Sequence, residues 1–107
     1  MKYFALVILA LILGTTSASA DVKKGQKLYL KKCKKCHGNG TKGAAMKSQD
    51  EWEEAFEDNA ALFIKWHEGT KAEKFVKGDK FKTKLAPDIK DFLYEYGNDS
   101  GNVPSCG

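Results

Sequence analysis

Five consecutive residues carry the chemistry of this chain: Cys33-Lys34-Lys35-Cys36-His37. On a helical turn this spacing presents two thiols and one imidazole to the same side. The thiols can add across the two vinyl groups of a haem, and the histidine then lies beneath the iron, the pattern of c-type haem attachment. Two other chemistries use the same residue types. Zinc needs a fourth ligand, which His67 or Cys106 can supply in principle, but structural zinc sites normally draw on two paired motifs and this chain has one. A thioredoxin-like dithiol needs a strand–helix context that the flanking residues lack. The reading that fits best is one covalently attached haem c, with Cys33 and Cys36 as its anchors and His37 as the proximal ligand.

The segments around the motif set its context. Lys2 is followed by an unbroken apolar run of eleven residues, Tyr3 to Leu13, and Ala18-Ser19-Ala20 precede Asp21. This is the layout of a secretory signal peptide, and a membrane-spanning helix needs about 20 apolar residues. The expectation is a leader over residues 1–20, cleaved after Ala20, and one domain over residues 21–107 that is exported to the periplasm without stable membrane insertion. No cysteine precedes Cys33, so the cleavage site offers no place for a lipid. Haem attachment of this type belongs to the same exported context.

The 87 residues after Ala20 suffice for one small domain, of a size that usually leans on a cofactor, a metal or crosslinks. All 18 basic residues are lysine, and the absence of arginine forks argues against nucleic acid as a partner. Nine lysines fall between Lys23 and Lys47, seven acids between Ser48 and Glu68, and seven lysines between Lys71 and Lys90. Three helices are expected. The first runs from about Val22 to Lys34, with Gly25 allowing a close approach of another backbone. The second opens at Ser48 as N-cap with Glu51 three residues on, and its stripe of Trp52, Ala55, Phe56, Ala60, Phe63, Trp66 and His67 ends at Gly69. The third starts at Pro87 and carries Ile89, Phe92, Leu93 and Tyr96 on one side. No stretch alternates with period two, so the domain is all-α.

Gly25-Gln26-Lys27-Leu28-Tyr29, the motif Cys33 to His37 with Gly38, and the closing stretch Asp88 to Tyr96 together resemble small bacterial class I cytochromes c. The resemblance covers the two ends of the domain. It implies a small helical fold wrapped around one covalent haem, in which the first and last helices cross, so that Gly25 and Tyr29 would meet Phe92, Leu93 or Tyr96. The middle departs from the pattern. The family usually takes its distal methionine from a loop just before the last helix, and Lys71 to Ala86 contains no methionine. The candidates for the sixth ligand are His67, Met46 and a lysine. His67 ends the apolar stripe of the second helix and is the one histidine besides His37; it is the favoured ligand. Met46 follows a stretch of small residues flexible enough to bend around a haem edge and is the alternative.

A domain of this size wrapped on haem has little room for a substrate pocket, and an iron closed by a sixth ligand changes oxidation state without binding substrate. The function expected is therefore an electron carrier between a donor dehydrogenase and a terminal acceptor, and not an enzyme. The resemblance implies an exposed thioether edge, here flanked by Lys31, Lys32, Lys34 and Lys35, which would steer the protein to acidic patches on redox partners. A dedicated haem subunit of one periplasmic oxidoreductase, for example of the sulfite-oxidising kind, is the second reading. A gas-binding sensor or small peroxidase is the third and requires an open distal site. Cys106 has no haem partner left, and in an oxidising compartment it offers a disulfide to a partner or a second copy.

Overall fold

A computed structural model describes residues 20–106 of the chain. Residues 1–19, which hold all but the last residue of the expected leader, lie outside the described residues. The elements are α1 (Ala20–Lys32), α2 (Lys34–His37), α3 (Gly40–Ala44), α4 (Gln49–Ala55), α5 (Glu57–Trp66), α6 (Glu73–Lys77), a π-helical turn (Phe81–Leu85) and α7 (Ala86–Glu95). Among the described residues there is no strand, so the all-α expectation holds. No described helix is long and apolar enough to cross a membrane.

The most extensive packing joins the two ends of the domain, α1 against α7. Gly25 makes it possible. A Cβ at this position would overlap the Asp88 carbonyl oxygen and lie 2.8 Å from the Phe92 Cβ, so any side chain would pry the helices apart. One turn on, the Tyr29 ring meets Phe92 at 5.5 Å between centroids, and Tyr96 packs on Phe92 at 5.4 Å. Pro87 occupies the first turn of α7, where its missing N–H costs nothing, and Ile89, Phe92 and Leu93 are buried. The crossing implied by the family resemblance is therefore present, with Phe92 at its centre.

The second helix differs from its expectation. Its start is as read: Ser48 Oγ accepts the Glu51 N–H at 3.2 Å, and Glu51 Oε1 accepts the Ser48 N–H at 3.0 Å. The run then breaks: α4 ends at Ala55 with Phe56 as its cap, and just inside the start of α5 Asp58, Asn59 and Ala60 adopt φ values of 53°, 56° and 63°, a kink within that element. Asp and Asn tolerate this left-handed conformation better than most residues. The break re-aims α5, so that Phe63 stacks on Phe81 with centroids 5.6 Å apart and planes at 15°. Apolar residues recur at helical spacing on both sides of the break, which is why the pattern reads as one continuous helix. The stretch after Gly69, expected without elements, holds α6 and the π turn. These bring Val76 and Phe81, 3 % and 1 % exposed, into the same core as Phe63, Ile89 and Phe92.

Candidate functional site

The motif residues sit at the end of α1 and on α2. The Cys33 N–H donates to the Tyr29 carbonyl at 2.7 Å, and the His37 N–H to the Cys33 carbonyl at 3.0 Å, so the two thiols and the imidazole ride on one nearly continuous helical path. Gly38, at φ 81°, turns the chain away from it. Beyond this turn the loop is pinned from outside. Tyr29 Oη shares its proton between the carbonyls of Gly38 and Asn39, at 2.9 and 3.2 Å, and a Cβ on Gly43 would overlap the Tyr29 hydroxyl. Trp52 Nε1 donates to the Ala44 carbonyl at 2.8 Å. Tyr29 is thus both a packing residue, as its place in α1 suggested, and the hydrogen-bond donor that holds the loop after His37. The second role was missed, and nothing local in the sequence signals it.

These residues form one wall of a cavity of about 440 Å³, within the range of roughly 300–1,000 Å³ found for pre-formed ligand and cofactor sites. Cys33, Cys36 and His37 line it from one side and His67 from the other. The two imidazoles meet edge-on, with centroids 6.0 Å apart and planes at 81°. A metal held between two imidazoles needs ring centroids about 6 Å apart, the sum of two metal–nitrogen bonds of about 2 Å and the short path from each nitrogen to its ring centre. His67 is also oriented for the task. Its Nδ1 lies 2.7 Å from the Phe63 carbonyl oxygen, an acceptor only, so this nitrogen donates, and Nε2 is the nitrogen that could ligate a metal. The Phe63 ring backs the imidazole at 4.5 Å. The residues present fit a haem: Cys33 and Cys36 could anchor it, His37 and His67 could ligate its iron, and Phe63, Phe75, Phe81, Ile89 and Leu93 give it apolar walls.

Burial, and then the neighbouring His67, lower the pKa of His37, which favours the neutral imidazole, the form that binds a metal. Burial, followed by the charge of Cys36, pushes the Cys33 thiol up to about 11. Met46, the other distal candidate, also lines the cavity, but its side chain is 52 % exposed, and no hydrogen bond or ring contact orients its sulfur. The structure therefore brings Cys33, Cys36, His37, His67 and Met46 to one cavity. Cys106 is exposed and does not line it, and among the described residues no group of three or more His, Cys, Asp or Glu side chains is gathered to hold a bare metal ion. The lysines expected to flank the haem edge, Lys31, Lys32, Lys34 and Lys35, are all exposed, and Lys32 also lines the cavity with its Nζ 5.4 Å over the Phe75 ring. Phe75, Val76 and Phe81 are lining residues that were missed. Their signal was three apolar positions in a stretch otherwise crowded with lysine.

A family model described as cytochrome C oxidase, cbb3-type, subunit III matches residues 20–93, from the start of α1 to Leu93 in α7. No curated protein and no solved structure matches the chain.

Proposed function

We propose a function from the premise that this chain belongs to the cytochrome c family described as cytochrome C oxidase, cbb3-type, subunit III. Membership implies haem c and makes the chain a haem-based electron carrier. Within that class, the reading supported best is a periplasmic monohaem cytochrome that passes single electrons from a donor dehydrogenase to a terminal acceptor. The haem, when bound, supplies an iron that alternates between ferric and ferrous states. Cys33 and Cys36 would hold it through thioether bonds. His37 would be its proximal ligand and His67 the distal one, a departure from the methionine that the family usually provides.

One observation carries this reading: the His67 ring lies 6.0 Å from the His37 ring at the cavity, planes at 81°, with its Nδ1 committed to the Phe63 carbonyl. Two imidazole ligands would leave the iron no open position, which favours electron transfer over a gas-binding or peroxidase role. Replacing a thioether by an imidazole also removes a soft ligand that favours the ferrous state, so the potential is expected below that of methionine-ligated relatives. The optical and paramagnetic spectra of the purified full chain test the ligand pair. The oxidised protein should lack the weak long-wavelength band of a sulfur ligand. His67→Ala should give a high-spin iron or one that takes up imidazole and carbon monoxide, and Met46→Ala should leave the ligand spectrum unchanged. A sulfur band lost on Met46→Ala, with His67→Ala indifferent, would assign the position to Met46.

The partners in this reading are redox proteins with acidic patches that meet the lysines around the motif. Neutralising Lys31, Lys32, Lys34 and Lys35 in groups should slow electron exchange most at low salt, and added salt should shrink the difference as screening sets in beyond about 10 Å. A second reading, a dedicated haem subunit of a larger oxidoreductase, is favoured by the family description, which names a subunit of an oxidase. Exposed Cys106 would suit a covalent tie to such a partner. Co-purification with one stoichiometric partner would favour this reading, and a free carrier would purify alone.

A further inference from the structure

We infer that Lys47 and Lys71 are the seats of the two propionate carboxylates of the haem, an inference that rests on the haem-centred reading above. The cavity is apolar over most of its wall, and no Asp or Glu lines it. Three ammonium-bearing side chains do, those of Lys32, Lys47 and Lys71. Lys32 and Lys71 are exposed and Lys47 is half-buried, so the three ammonium groups form a solvent-facing rim whose charge favours an occupant that presents carboxylates toward it. Among the described residues, the ion pairs Lys77–Glu73 and Lys90–Glu53 use none of the three. Glu51 lies within electrostatic reach of Lys47, but its carboxylate is already engaged by the Ser48 N–H at 3.0 Å.

The chemistry of the occupant sorts the three lysines. A haem is an apolar ring with two vinyl-bearing positions toward one edge and two carboxylates toward another. Thioether bonds at Cys33 and Cys36 would commit the vinyl edge. Lys32 adjoins Cys33 and rests over Phe75, so it belongs to that edge, and Lys47 and Lys71 remain for the carboxylates. Lys47 is held by the fold, and Lys71 stands exposed at the rim. Lys47 is half-buried, its Nζ lies 4.9 Å over the Trp66 ring, and its carbonyl accepts the Asn98 N–H at 3.0 Å. Lys71 follows Thr70, whose hydroxyl donates to the His67 carbonyl at 2.7 Å, which ties this part of the rim to the distal histidine. Ammonium groups paired with the carboxylates offset negative charge near the iron and so favour its ferrous form.

The test uses the haem-loaded full chain with Lys47→Gln, Lys71→Gln and both together, read by reduction potential and by redox-difference infrared spectra of the carboxylate bands. The potential should fall in each single variant and further in the double variant, with the carboxylate bands displaced. Lys47→Arg should restore both readouts. Lys80→Gln, an exposed lysine away from the cavity, should change neither. Unchanged potential and unchanged bands in haem-loaded single variants overturn the inference. So does a slower reaction with a partner at unchanged potential, which would make these lysines docking residues instead. A wild-type protein that carries no covalent haem would instead refute the reading on which the inference rests.

Discussion

The two walls of the cavity are built in opposite ways. The wall that carries His37 is a single run of chain from Cys33 to Met46, polar, rich in lysine and glycine, and held by hydrogen bonds from Tyr29 and Trp52. The wall that carries His67 is gathered from α5, α6 and the π turn, and it is held by stacked rings: Phe56 on Phe63 at 4.7 Å, Phe63 on Phe81 at 5.6 Å, Phe75 against Phe81 at 5.4 Å. A local wall fixes its chemistry by spacing along the chain. An assembled wall fixes its chemistry by packing, and it depends on whatever fills the space between.

Removing that filling should break the comparison most completely. Cys33→Ala with Cys36→Ala is expected to give a chain without covalent haem and with little helix, because the haem supplies much of the apolar surface on which both walls close. Circular dichroism of the double variant checks this, and a normally helical, cooperatively folding product would contradict it. Phe81→Ala strikes the assembled wall alone. Phe81 is 1 % exposed at the junction of Phe63 and Phe75, and truncating such a ring costs about 3–5 kcal/mol. Denaturant unfolding of the haem-loaded variant measures the loss, and His67 should lose its orientation with it.

The same contrast decides what could be read from sequence. The haem motif, the Ser48–Glu51 cap, the Pro87 start and the Gly25 contact are local signals, or a single small residue whose need for space is plain. The break at Asp58–Ala60 leaves the apolar period intact, so periodicity carried straight across it. The π turn lies in a stretch where five lysines, from Lys74 to Lys84, outweigh Phe75, Val76 and Phe81, and only the finished core shows that these three point inward. His67 could be nominated from the sequence because so few ligands were on offer. Its place beside His37 depends on the re-aimed α5, and that was not legible.

On the local wall the effects are smaller. Tyr29→Phe removes the donor shared by the Gly38 and Asn39 carbonyls and should cost about 1 kcal/mol at neutral pH. Its pH dependence is more telling. Burial, and secondarily the Cys33 thiolate, push the Tyr29 phenol from the ordinary 10.0 up to about 12. Once Cys33 is a thioether the second contribution disappears and burial remains. A neutral phenol favoured by the fold stabilises fully below pH 10 and loses that contribution as pH rises toward the folded value. The stability difference between the wild type and Tyr29→Phe should therefore shrink between pH 10 and about 12. Lysine titration in the same range is common to both proteins and cancels. A difference constant across that window would show that the hydroxyl is not buried against the loop.

The smallest expected effect tests the break that re-aims the assembled wall. Ala60 sits at φ 63° with 1 % of its surface exposed. Left-handed backbone costs a residue with a Cβ roughly 1–2 kcal/mol, and glycine escapes that cost. Against this, Ala60→Gly loses a buried methyl, about 0.8 kcal/mol, and adds freedom to the unfolded chain, about 0.5–1 kcal/mol. The terms nearly cancel, so the variant should match wild-type stability to within about 0.5 kcal/mol. If α4 and α5 were instead one right-handed helix, the same substitution would lose the methyl and the helix propensity with nothing in return, close to 2 kcal/mol. Denaturant midpoints of the haem-loaded proteins separate these outcomes. A loss near 2 kcal/mol would restore the continuous helix and remove the turn that aims Phe63 and His67 at the cavity.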